Sequence, residues 1–181
     1  DPIDGAVTSV ITYTATDNGG ATSASATVSV PFSVSIIISG NIYYDRNRLN
    51  DNLVSGTNFI PSGIYSILVE VGENKIVDFD LLPGYLQSTQ TGAFSFNGQS
   101  NKTYYVMLST TLPVIGNTPP INSNLPANYS STGEQIKDPV VGGNIYGSDG
   151  VVNGKSRQFT ATSDVSMVDF GIIRLILIVE D

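Results

Sequence analysis

The sequence contains no histidine, no cysteine and no tryptophan. Without histidine there is no imidazole base to activate a nucleophile, and without histidine and cysteine the usual zinc ligand sets are excluded. A protein-bound metal would therefore be a hard ion with oxygen ligands, and Ca²⁺ is the first candidate. The absence of cysteine also excludes disulfide bonds as a source of stability.

Charge is scarce as well, and its balance is acidic. Only 13% of the residues are charged, the net charge is −8, and the eight lysines and arginines are scattered. Because phosphate recognition needs clustered basic residues, we expect no nucleic-acid partner and no binding to an anionic membrane. The apolar run from Phe170 to Val179 is interrupted by Arg174 and has the length of a strand, so we expect no membrane insertion.

Alternation of apolar and polar residues is present along most of the chain, whereas helical spacing is nearly absent. Serine, threonine, asparagine and glycine carry the polar content, as suits the solvent faces and turns of antiparallel sheets. The proline-rich region from Leu112 to Glu134 cannot supply a central strand, because proline lacks the ladder donor. We predict an all-β, antiparallel β-sandwich. Its predicted strands are Val34 to Tyr44 with a bulge at Gly40, Gly63 to Gly72, Asn74 to Leu82, Gly92 to Gly98, Lys102 to Thr111, Ser156 to Thr162 and Ser166 to Asp181.

The first part of the chain predicts a separate β-hairpin. Ala6 to Thr16 and Ala21 to Val30 alternate, and the turn sequence "DNGG" separates them. An isolated hairpin is marginally stable, so we interpret residues 1–33 as the end of a preceding repeat in an excised segment of a longer chain. Residues 34–173 then form the sandwich, and residues 174–181 are a linker or the first strand of a next unit. The apolar edge "RLILIVED" is expected to pair with a neighbouring repeat or another copy of the protein.

Several strings in this order resemble a known module. They are "GNIYYDRNRLNDNLVSGT", "GIYSILVEVGENKIV", "GAFSFNG", "TYYVMLSTT", "LPANYSSTGE", "GSDGVVNG" and "VDFGI". Roughly residues 39–173 resemble the SdrD B-like module, a β-sandwich related to Cna-B, in the form found in Bacteroidetes. The hairpin "ITYTATDNGGATSASATVSV" is similar to the last two strands of cadherin-like or Ig-like repeats.

The resemblance implies a stalk or adhesive module in a long, repeated, secreted protein held at the bacterial cell surface. Such proteins often leave the cell by the type IX route. The chain departs from the family loop at Arg46 and Arg48, where a small or acidic residue is usual. Many Cna-B relatives contain a Lys–Asn isopeptide bond, but Lys75, Lys102 and Asn41 form no convincing set with an acid, so the bond is not predicted.

The window from Tyr43 to Thr57 is the most polar part of the chain, and it is either a calcium site or a polar connection between two strands. It does not fit the EF-hand template, because Leu49 and Gly56 stand where ligands should be. The family analogy keeps a calcium site open, completed by a carboxylate from a neighbouring loop. The alternative is a polar connection whose Asp and Asn residues cap their own backbone, with Arg46 and Arg48 pairing the carboxylates. The candidate ligands are Asp45, Asn47, Asn50, Asp51, Asp78 and Asp80.

Two further segments carry weaker metal hypotheses. In "GSDGVVNG", Ser148, Asp149 and Asn153 could hold an ion, although Gly–Asp–Gly is first a turn signal. Asp17 could join an interdomain calcium site, although capping of the hairpin turn is the favoured interpretation.

Catalysis is not expected. Asp78 and Asp80 share one face of a strand about 7 Å apart, a spacing compatible with a glycosidase pair. No tryptophan lines a sugar platform, however, and most acidic residues sit singly in turns. The doublets Tyr43–Tyr44 and Tyr104–Tyr105 each place one ring toward the core and one toward solvent, where it could stack on a glycan.

The sequence therefore predicts a non-catalytic structural or adhesive module in an extracellular bacterial surface protein, with calcium as the candidate stiffening ion. Its expected partners are neighbouring repeats or other copies through edge strands, and a host or environmental glycan or protein ligand. A carbohydrate-binding module and a self-assembling extracellular filament subunit are the alternative functions.

Overall fold

The computed structural model describes residues 8–31, 34–48, 53–57, 62–81, 92–138, 145–146 and 151–175. Within these ranges the chain is entirely β-structure and loops, with no α-helix, as predicted. No helix in this part of the chain is long and apolar enough to cross a membrane. The chain divides into two compact units, Asp1–Val34 and Ser35–Asp181.

The first unit contains the predicted hairpin. β1 (Thr8–Tyr13) pairs antiparallel with β2 (Ala26–Pro31), and Thr16 bridges Thr22 beyond the strand ends. The side chains of Val10, Ile11 and Tyr13 are more than half exposed, so the two strands enclose no core of their own.

Asp17 organises the turn of this hairpin. Its Oδ1 accepts hydrogen bonds from the backbone N–H groups of Gly19 (2.8 Å) and Ala21 (2.9 Å). Gly20 has a φ of 83°, a left-handed conformation that glycine adopts without steric cost. These contacts are the turn cap that the "DNGG" sequence favours.

The second unit is a sandwich of two sheets. One sheet has the strand order β6-β3-β11-β8-β9, and the other has the order β10-β7-β4-β5. The nine strands described in this unit are β3 (Ser35–Tyr44), β4 (Tyr65–Glu70), β5 (Lys75–Leu81), β6 (Gly92–Gln99), β7 (Lys102–Ser109), β8 (Tyr129–Ile136), β9 (Ile145–Tyr146), β10 (Phe159–Ala161) and β11 (Val168–Arg174).

The core fills the space between the two sheets. Alternate residues of β3 and β6 point into it, which is the period-two pattern that the sequence displays. The rings of Phe94 and Phe96 stack with their centroids 5.1 Å apart, and Phe170 lies 6.2 Å from Phe94. The other fully buried side chains of this cluster include Ile38, Ile42, Ile64, Leu68, Val106, Leu108, Ile136, Val168 and Ile172.

β3 and β11 are parallel neighbours in the interior of the larger sheet, with Phe170 opposite Ile42. Gly40 lies where the two backbones come closest. The predicted bulge at Gly40 is wrong, since the β3–β6 register runs through Gly40 without a shift. A Cβ at this position would overlap the carbonyl of Val168 and lie 2.8 Å from Cζ of Phe94, so the glycine permits the close approach of β11.

β8 contradicts the prediction for the proline-rich region. The last residues of that region, from Tyr129, form a strand between β11 and β9. The strand begins after Pro126, so no proline interrupts its ladder. Its buried residues include the polar Thr132, Glu134 and Gln135, which hide it from a search for apolar alternation.

The outer face of the smaller sheet is covered. Ile67, Val69 and Met107 on this face have no solvent exposure. Gly116 and Asn117 bond to Ile76 at one edge of the sheet, and residues 154–156 bond to β7 at the other.

Both tyrosines of the β7 doublet are buried, because the outer face of the smaller sheet is covered. Tyr104 lies in the core, where its hydroxyl bonds to the backbone of Gln99. One ring of the doublet was expected to face solvent, but Tyr105 is also only 6% exposed, and the Lys155 ammonium lies 4.0 Å from its ring centroid. Among the residues that the structure describes, the smaller sheet therefore presents no flat row of exposed tyrosines.

Candidate functional site

The polar window begins with a fully buried carboxylate. Asp45 follows β3 directly, and its backbone N–H donates to the carbonyl of Ile172 (2.9 Å). Its Oδ2 accepts from the hydroxyl of Thr132 (2.8 Å), and its Oδ1 accepts from the backbone N–H of Arg48 (3.1 Å). Asp45 therefore ties the loop to the adjacent strands β11 and β8, and both carboxylate oxygens have protein donors.

The turn after Asp45 carries two arginines. Arg48 has a φ of 52°, and its N–H bond to Asp45 is the backbone cap proposed as the alternative to calcium. Neither Arg46 nor Arg48 forms an ion pair within the residues that the structure describes. The guanidinium carbon of Arg46 lies instead 5.5 Å from the ring centroid of Tyr44.

The predicted calcium ligands are only partly brought together. Asn47 is exposed two residues after Asp45, while Asn50 and Asp51 lie outside the described residues. Asp78 is on β5, where its Oδ1 accepts from Phe79 N–H (2.9 Å) and its Oδ2 from Asn97 N–H (2.8 Å) on β6. Asp78 thus links β5 to β6, which are edge strands of the two sheets.

Asp78 and Asp45 do not share a site. Asn97, the partner of Asp78, pairs with Ile37, whereas Asp45 follows the other end of β3. Eight residues of extended chain separate Ile37 from Asp45, a distance of roughly 26 Å. Asp80 lies on β5 opposite Ser66, two residues beyond Asp78. Among the described residues, no three acidic side chains cluster closely enough to hold a metal ion.

An open pocket lies beside the polar window. Its volume is about 380 Å³, and the described residues that line it are Tyr44, Arg46, Asn47, Ser55, Gly56 and Thr57. The backbone N–H of Tyr44 donates to the carbonyl of Thr57 (2.7 Å), which holds the two sides of the pocket together. Gly56 has a φ of 138°, and a Cβ there would overlap the carbonyl of Tyr44. The pocket therefore depends on a tight backbone crossing.

Buried carboxylates elsewhere in the sandwich were missed by the sequence reasoning. Glu134 on β8 is fully buried, and its Oε1 accepts from the backbone N–H groups of Asn153 (3.1 Å), Gly154 and Lys155 (3.2 Å). Asp138 accepts from the N–H (2.5 Å) and hydroxyl (2.9 Å) of Ser166. No sequence signal marks them, because the backbone N–H groups that they accept from lie 19 to 28 residues away.

Asp169 is a third such carboxylate, at the β3–β11 junction. Its Oδ1 accepts from the N–H of Asn41 (3.0 Å), and the ammonium of Lys137 lies 3.5 Å from its Oδ2. Burial raises the pKa of Asp169, and the Lys137 charge opposes that rise. Burial, and then the charge of Asp169, raise the pKa of Tyr43.

The second metal hypothesis falls largely outside the described residues, which include Asn153 but not Ser148 or Asp149. The Oδ1 of Asn153 accepts from the N–H of Lys155 (2.8 Å). That bond is the turn contact expected of asparagine in a loop.

No protein-family model matches this chain, and no curated protein matches it.

Proposed function

We propose that the sandwich is a non-catalytic, force-bearing spacer of a secreted adhesive protein at a bacterial surface. The observation that carries this proposal is the parallel pairing of β3 with β11, the first and last strands described in this unit.

Hydrogen bonds join β3 to β11 and to the residues just before it, from Ile37 to Asp45. At one end, Ile37 N–H donates to Asp164 Oδ1 (2.8 Å) and Val165 N–H donates to the Ile37 carbonyl (2.8 Å). At the other end, Asp45 N–H donates to the Ile172 carbonyl (2.9 Å). We call this set, with the bonds between these ends, the terminal clamp. It includes the bonds Ser39 N–H to the Val165 carbonyl and Asn41 N–H to Asp169 Oδ1.

The direction of the strands determines how the terminal clamp carries load. Tension applied before β3 and after β11 pulls two parallel strands past each other in opposite senses. The interstrand bonds lie across the strands, so they are loaded together rather than broken one by one. Flanking strands β6 and β8 keep both members in the interior of the sheet. This geometry supports a module that resists stretching along its chain.

The remaining parts of the proposal have separate support. The resemblance to surface-adhesin modules supports secretion and attachment at the cell envelope. The use of Asp45 and Asp78 as hydrogen-bond acceptors for backbone and hydroxyl groups supports a structural role for these carboxylates.

Calcium stays a prediction for the loop from Asp45 to Asp51. Calorimetric titration with Ca²⁺, followed by melting with and without a chelator, tests this prediction. Ca²⁺ at 100 times its Kd should add about 2.7 kcal/mol to the unfolding free energy. An unchanged melting temperature at millimolar Ca²⁺ would remove calcium from the proposal.

Single-molecule stretching of the module between reference domains tests the mechanical role. Asp164→Ala removes an acceptor of the terminal clamp, whereas Glu134→Ala removes a buried acceptor outside it. We expect Asp164→Ala to lower the unfolding force more, although Glu134→Ala lowers the equilibrium unfolding free energy more. Unfolding forces that simply follow equilibrium stability would contradict a specific mechanical role for the terminal clamp.

A further inference from the structure

The pocket beside the polar window has an unusual lining for so acidic a protein. No acidic residue is among the described residues that line it, although the chain carries a net charge of −8. Arg46 supplies a positive charge, and Asn47, Ser55 and Thr57 supply neutral amide and hydroxyl groups. A volume of about 380 Å³ is within the range of small-ligand pockets, ~300–1,000 Å³.

Arg46 lies beside an aromatic ring at the pocket. Its guanidinium carbon lies 5.5 Å from the ring centroid of Tyr44, and within the described residues it has no ion-pair partner. Stacking on an aromatic ring uses the face of a guanidinium and leaves its N–H edges available for a carboxylate. The charge is therefore held at the pocket without being neutralised by a described neighbour.

Hydrogen bonds hold the backbone beside the pocket in place. Tyr44 is joined to Thr57 by a backbone hydrogen bond of 2.7 Å, and the next residue, Asp45, is fully buried and bonded to Thr132 and Arg48. Asp45 is occupied by these donors and does not line the pocket, so Arg46 is the charged residue among the described lining residues.

We propose that this pocket binds a saccharide that carries a carboxylate, such as a uronic-acid unit of an acidic glycan. Arg46 receives the carboxylate, and Asn47, Ser55 and Thr57 receive the hydroxyl groups that surround it in a sugar acid. A simple inorganic anion would use the arginine but not the neutral donors. The inference rests on the proposed adhesive function, since it names the class of ligand that this module would bind.

The test uses oligogalacturonate and its fully methyl-esterified counterpart, which keeps the sugar backbone and removes the charge. Amide chemical shifts are recorded for the whole chain during titration with each probe, in the presence of a chelator. We expect shifts at residues 44–47 and 55–57 with the acid form and little response to the ester. Loss of one charge-assisted contact in Arg46→Gln is expected to weaken binding about ten- to a hundredfold.

Arg48→Gln is the matched control. Arg48 is exposed on the same turn, two residues away, and does not line the pocket. It should bind the acid form nearly as well as the parent. Equal losses in both variants, equal binding of acid and ester, or no shifts at residues 44–57 would overturn the proposal. Succinate binding as tightly as the oligosaccharide would overturn its saccharide part. The unfolding force of Arg46→Gln should match the parent, so failure here is distinguishable from failure of the mechanical function.

Discussion

Glu134 provides a sharp test of the claim that buried carboxylates hold the sandwich loops in place. Its Oε1 accepts from three consecutive backbone N–H groups, of Asn153, Gly154 and Lys155. Replacement by alanine removes all three bonds. Asn153 is exposed and Lys155 is half-buried, so water can reach part of the released backbone, whereas Gly154 is buried.

The magnitude follows from this difference in burial. A buried donor left without a partner costs about 1–3 kcal/mol, and each rehydrated bond costs about 0.5–1.5 kcal/mol. Glu134→Ala should therefore lower the unfolding free energy by about 2–6 kcal/mol. Glu134→Gln keeps a carbonyl acceptor of the same shape and should lose less, since only the charge assistance disappears.

Urea denaturation measures these changes, with Glu73→Ala as the control. Glu73 is an exposed acid paired with Lys75, and its removal should leave the midpoint almost unchanged. Hydrogen exchange should also show faster exchange at the amides of residues 153–155 in Glu134→Ala. If Glu134→Ala is no less stable than Glu73→Ala, the Glu134 carboxylate does not anchor residues 153–155.

Two further predictions concern the β3–β11 junction. Gly40→Ala should destabilise the sandwich by about 1–3 kcal/mol or more in urea titrations, because the new Cβ meets the Val168 carbonyl and Phe94. Gly72→Ala is its control, since the nearest atom lies 3.7 Å away, and equal stability of the two variants would contradict the close approach. Because the pKa of Asp169 is raised in the folded state, folding takes up a proton between the ordinary value near 3.9 and the raised pKa. The unfolding free energy should therefore fall through that window as pH rises. Asp169→Asn should gain stability relative to the parent over the same window in urea titrations at successive pH values, and a constant difference would refute the shift.

Much of the sandwich could be predicted from alternation in the sequence. The strands from β3 to β7 fall within a few residues of the predicted runs, since their apolar residues at period two form the core. β8 could not be found in this way, because three of its buried residues are polar and form hydrogen bonds with residues far away in the sequence. The parallel pairing of β3 with β11 depends on contacts between the two ends of the unit, which local patterns do not encode.

The candidate site was harder to predict, because its contacts also join residues that are distant in the sequence. Asp45 was predicted as a calcium ligand from the composition of its loop, and Asp78 from the family resemblance. Their described partners include Thr132, 87 residues from Asp45, and Asn97, 19 residues from Asp78. A hydrogen-bonding role and a metal-binding role look alike in sequence, because both use carboxylate oxygens.

The central claim is tested most directly by stretching one protein along two directions. The chain has no cysteine, so pairs of introduced cysteines can serve as attachment points. Ser35→Cys with Leu175→Cys loads β3 and β11 in shear, while Ser35→Cys with Gln99→Cys pulls apart the paired residues at one end of β3 and β6. At equal loading rate, the terminal clamp predicts a several-fold higher unfolding force for the first pair. Equal forces along the two directions would contradict a force-bearing role.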